Sequence, residues 1–176
     1  ALAHVGVITD LGVTHSDCIV LATRGNRLAL LRARFGGRDV QPDAFFIDVL
    51  HLVEVSEASE LTGFVAFDVD DLDAAITELD ARYTAGEAAR FAQAWSAIAE
   101  AYAAFNRREI APTSEGWVSI DHRRGSAFAP GDMVAYLSAA WADSPDTRIY
   151  VDAVQRLSDT GAVVTHSARG LTHNGF

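Results

Sequence analysis

An α+β fold, with helices covering one face of a curved antiparallel sheet, is predicted by three observations in this 176-residue sequence. Two segments, 18–36 and 151–170, each read as strand, turn, strand, and they resemble one another. A helical stripe lies between them: Phe91, Trp95, Ile98, Tyr102 and Phe105, at spacings of 4, 3, 4 and 3. Two further apolar runs, 44–55 and 62–67, flank a polar turn at 56–61. Overlapped at the shared hairpin, the element orders of the two halves combine into one α+β unit.

The elements follow in chain order. Residues 5–13 read as an apolar strand. The first hairpin turns at Gly25-Asn26, a two-residue turn signal. Gly36, Gly37 and Pro42 break the pattern before the strands at 44–55 and 62–67. Asp68, Asp70 or Asp71 opens a helix whose stripe is Leu72, Ile76, Leu79 and Tyr83, with acids suited to its first turn. Gly86 separates it from the helix ending near Asn106. Residues 110–116, with Pro112, read as a loop, and 117–123 alternate as a strand. A helix opening at 129–132 carries Met133, Tyr136, Leu137, Ala140 and Trp141 inward, and Pro145 ends it before the second hairpin.

Sliding the hairpins together lays Leu28–Arg32 over Ala162–His166 and brings Arg34-Phe35-Gly36 near Ala168-Arg169-Gly170. Such self-similarity points to tandem copies of one domain. Residues 1–84 then read as the last strands and closing helix of one unit, and 85–176 as the first helices and strands of the next. The two can also combine into one compact domain.

Composition narrows the function. Net charge is −10, and residues 1–80 hold 5 Arg against 14 acids, so no positive field awaits a nucleic-acid backbone. No apolar run approaches a membrane span, and no basic segment leads into an apolar core at the start. A cytoplasmic location is the default. The single cysteine, Cys18, reads as a small core residue. The six histidines form no metal-ligand spacing, and the phosphate-loop, dinucleotide and nucleophile-elbow patterns are absent. No metal and no cofactor is expected.

Three segments carry a resemblance: Glu78–Ala89, Trp117–Asp132 and Val154–His166. They are similar to repeated SnoaL-like segments of large actinobacterial cyclase-like, ATPase or transcriptional-regulator proteins. These belong to the nuclear transport factor 2-like superfamily, whose fold is a cone. The resemblance implies the cone and excision from a longer protein, and it leaves activity open, because the superfamily includes enzymes, binding modules and scaffolds. The absent initiating Met and the stop just after Asn174-Gly175 agree with excision.

Asp121 and His166 are the catalytic candidates. Asp121 shares its strand face with Trp117, and superfamily enzymes place such a carboxylate or a histidine inside the cone as a proton shuttle. The plainer reading of Asp121 is as the partner of Arg123 or Arg124, or as a cap of the helix after Pro130. The plainer reading of His166 is as the satisfied partner of a strand neighbour. Trp95, Tyr102, Trp117, Trp141, Tyr150 and Asp152 are the ligand-binding candidates, an aromatic set with one carboxylate of the kind that lines small-molecule sites. Simple core packing accounts for the same stripe.

Two functions follow. One is a non-catalytic scaffold or small-molecule-sensing module of a multidomain regulator, with a small apolar ligand. The other is a SnoaL-like isomerase, cyclase or lyase moving a proton on an apolar carbonyl substrate through Asp121 or His166. The interrupted second unit leaves strand edges and an apolar face uncovered, which predicts a homodimer through the sheet.

Overall fold

Alternating burial along the first strands places one apolar face of a sheet against a helix, and the rest of the first unit follows from that. The computed structural model describes residues 13–37, 46–122, 126–128 and 130–170. The expected strand at 5–13 therefore lies outside the described residues, apart from Val13. The chain divides into two units: the described residues of Ala1–Ala92 with Asp152–Val154, and those of Gln93–Val151 with Gln155–Phe176.

The first unit is a four-stranded antiparallel meander, in the order β1 (Val13–Arg24), β2 (Leu28–Gly37), β3 (Phe46–Val55) and β4 (Leu61–Asp68). Its register aligns Ala22, Leu30, Leu52 and Val65 across the sheet. Ala22, Leu28, Leu30, Leu50 and Leu52 are buried on that face. Helix α1 (Leu72–Ala85) packs across all four strands, burying Ala75, Leu79 and Tyr83 at one-turn spacing. Asp71 occupies its N-cap without a side-chain cap bond.

Two polar contacts lock this layer. Arg24, 1% exposed, donates from Nε to Asp80 Oδ1 at 2.6 Å. Glu87 accepts the backbone N–H groups of Asn26 and Arg27. The β1–β2 turn therefore spans three residues, Gly25 to Arg27, where two were expected. Gly25 has φ 58, and a Cβ there would stand 2.3 Å from Glu87 Oε2. Only glycine fits both demands.

Cys18 is exposed, which corrects the expectation of a core position. A register shift between Val20 and Ala22 brings Ala22 and Arg24 onto the buried face. Residues 15–20, ahead of it, are exposed throughout, with Ile19 at 61% and Val20 at 60%.

A turn of 3₁₀-helix at Ala89–Phe91 ends the continuous part of the first unit, and α2 (Ala92–Asn106) opens the second. Then come β5 (Ser119–Asp121) and β6 (Ser126–Phe128), α3 (Pro130–Asp143), and the hairpin β7 (Arg148–Ser158) and β8 (Gly161–Arg169). Each strand pair is a separate two-stranded sheet. The second hairpin turns through Asp159 and Thr160, one residue fewer than the first. Tyr136, expected inward, is 46% exposed. The half-buried stripe of α3 is narrower, comprising Met133, Leu137, Ala140 and Trp141.

Asn106 ties α2 to β7. Its buried amide donates to the Ile149 carbonyl at 3.0 Å and accepts the Ile149 N–H at 2.9 Å, so it substitutes for a strand partner. The Arg148 guanidinium donates to the Asn106 carbonyl.

Candidate functional site

The second unit holds a cavity of about 650 Å³ between α2, the 109–117 loop and α3. Tyr102 and Phe105 enter it from α2 because they sit three residues apart, on one face. Ile110 and Pro112 enter from the loop, with Trp117 at its end. Met133 and Leu137 line it from α3 at one-turn spacing, and Ile149 from the start of β7. The walls are mostly apolar, and polar groups come from Tyr102, Glu109, Thr113 and Ser114. A few polar groups in an apolar cavity of this size suit an organic molecule better than an ion.

The end of α2 shapes one side. Glu109 N–H bonds to the Ala104 carbonyl at 2.8 Å and Arg108 N–H to the Phe105 carbonyl at 3.0 Å. These paired bonds close the helix with a Schellman turn. Its left-handed position is filled by Arg108, at φ 65, where glycine is the usual residue. Arg107 pairs with Glu100 and Glu109, which hold its guanidinium above its ordinary value through hydrogen bonds, Glu109 foremost. Glu109 is thus engaged at the rim.

The candidate residues of the sequence scatter around this cavity. Tyr102 and Trp117 line it. Tyr102 also bonds through its hydroxyl to His166 Nδ1 at 2.8 Å, so the partner of His166 is on α2 and not on a neighbouring strand. Trp95 is fully buried in α2 and is not among the lining residues. Trp141 packs its ring on Phe105, with centroids 5.4 Å apart, beyond the wall. Tyr150 is 8% exposed and carries the Arg169 guanidinium over its ring. Tyr150 and Asp152 are not among the lining residues, although Ile149, just before them in β7, is. The Asp121 backbone is in β5, paired with Ser126, while its side chain, Arg123 and Arg124 lie outside the described residues.

Comparison with known proteins finds no matching family model, curated protein or solved structure. The site is therefore argued from its own geometry. Among the described residues, no three His, Cys, Asp or Glu side chains gather as a metal ion would require. No described helix is long and apolar enough to cross a membrane. Sequence reasoning treated Phe105, Met133 and Leu137 as core and passed over Ile110, Pro112 and Arg108. The available signal for Arg108 was the absence of glycine after Asn106, where a helix stop usually has one.

Proposed function

We propose that this chain is a non-catalytic, small-molecule-sensing module of a larger regulatory protein, of the cone-shaped SnoaL-like kind, and that its ligand is a small apolar compound. The observation that carries this reading is the cavity walled by Tyr102, Phe105, Trp117, Met133 and Leu137. Its volume of about 650 Å³ falls within the range of ordinary ligand sites. Titration with the neutral fluorophore N-phenyl-1-naphthylamine tests it. Saturable binding of one molecule per chain, lost when Leu137→Trp fills the cavity, supports the reading; no saturable binding overturns it.

The Tyr102–His166 hydrogen bond favours a second reading, an isomerase or lyase acting on an apolar carbonyl compound. In that case His166 sets the phenol as the proton-transfer group at the cavity wall. Tyr102→Phe would then keep ligand affinity and abolish turnover; for a sensor it changes affinity alone. The homodimer belongs to the same proposal. Its support is the outer edge of β1, exposing Ile19 and Val20, and that of β4, exposing Leu61 and Phe64.

A further inference from the structure

Two buried side-chain nitrogens in the second unit, Arg108 Nη1 and Trp141 Nε1, have no hydrogen-bond partner among the described residues. Both are donors, and they belong to neighbouring groups: the Arg108 guanidinium carbon lies 6.0 Å from the Trp141 ring centroid. Buried donors are nearly always satisfied, so an adjacent pair of them calls for a shared acceptor. The backbone gives a second, independent indication. Arg108 occupies the left-handed position of the Schellman turn at φ 65, a conformation that costs an arginine energy and costs glycine almost none. Strain kept at one residue is a sign of work done by its side chain.

The geometry points to a carboxylate-binding site formed by Arg108 and Trp141 beside the cavity. This rests on the reading of the cavity as an apolar ligand site and names the class of ligand: an apolar carboxylic acid. The donor pair lies one residue behind the cavity walls. Phe105 lines the cavity and packs at a tilt against Trp141, Leu137 lies one turn before Trp141 on α3, and Glu109 follows Arg108. A carboxylate fits the inventory. One guanidinium and one indole N–H supply a single positive charge and two donors, matching a monoanion with two acceptor oxygens. A phosphate dianion would leave charge unbalanced in a chain whose net charge is already −10.

The test compares decanoate with 1-decanol, which share a chain and differ in the head group. Binding is followed by calorimetry, and the indole N–H resonance of Trp141 by NMR. Decanoate is expected to bind more tightly than decanol and to shift that resonance, which decanol leaves in place. Arg108→Gly, which suits the left-handed turn, should fold with no loss of melting temperature. It should weaken decanoate roughly 10- to 100-fold, the usual cost of losing a hydrogen bond to a charged group, and leave decanol unchanged. Trp141→Phe keeps the ring on Phe105 and should weaken decanoate alone, by less. If decanoate and decanol bind equally and Arg108→Gly changes neither, the donors serve a buried water and the carboxylate site is refuted while the apolar cavity stands. If neither compound binds, both readings fall together.

Discussion

Replacing Asp80 by alanine should lower the stability of the first unit by about 3 kcal/mol. The Arg24 side chain is 1% exposed and that of Asp80 16%, and they meet at 2.6 Å. An exposed pair of this kind is worth at most about 1 kcal/mol. Here the guanidinium is enclosed between the sheet and α1, so removing the carboxylate leaves a charge that water cannot reach. Breaking buried pairs typically costs about 3–5 kcal/mol. The lower end applies because Asp80 keeps some solvent contact and Arg24 still donates from Nη1 to the Thr23 carbonyl. Urea titration followed by far-ultraviolet circular dichroism, with hydrogen exchange at the β2 amides, measures it. Tryptophan fluorescence does not report on this layer directly, since Trp95, Trp117 and Trp141 all belong to the second unit. The double variant Arg24→Met, Asp80→Leu should recover most of the loss, because it leaves no charge buried. A loss below about 1 kcal/mol for Asp80→Ala, or a double variant no more stable than the single, would refute the reasoning.

Gly25→Ala should cost roughly 1–2 kcal/mol from the left-handed backbone alone, and more as Glu87 is pushed off the Asn26 and Arg27 amides; the same urea titration reads it. Asp48 is hydrogen-bonded by Arg32 and Arg34, Arg32 foremost, which hold its carboxyl well below the usual carboxylate range. Because the folded value is depressed, its stabilisation is full above the unfolded value of about 4 and disappears as pH falls toward the folded one. Asp48→Asn should flatten the acid limb of a stability–pH curve. Phe105→Ala should weaken N-phenyl-1-naphthylamine binding and, by withdrawing the ring that supports Trp141, shift the Trp141 indole resonance. Light scattering at micromolar concentration should give the mass of two chains; a stable monomer mass removes the homodimer.

The periodic parts of the fold were legible and the local exceptions were not. Leu79 and Tyr83 announce α1 because helical spacing persists whatever lies opposite, and the structure buries both with Ala75. Of the strand expected at 117–123, Ser119–Asp121 pair with 126–128, while Trp117, Val118 and His122 stand outside the ladder and Arg123 lies outside the described residues. The three-residue turn escaped because Glu87, which fixes it, lies some 60 residues away in sequence. At the candidate site, aromatic composition pointed to Tyr102 and Trp117, which line the cavity, but the stripe alone cannot say which ring enters a cavity and which fills a core. Trp95 and Tyr102 share that stripe; one is wholly buried and the other reaches the cavity wall. Arg108 was hidden for a different reason, because its significance lies in a backbone angle that a row of letters does not display.

The amide of Asn106 makes residues 107–148 a closed excursion. Its two bonds to Ile149 hold the ends of that segment together across 43 positions of sequence. Closing a loop of this length carries an entropic cost that rises only slowly with further residues. Lengthening or exchanging the segment therefore strains the rest of the unit little, provided Asn106 and the start of β7 remain. The excursion brings with it Arg108, the 109–117 loop and all of α3, most of the cavity's wall. Replacing this one cassette would therefore reshape the cavity while α2 and the final hairpin stay as they are.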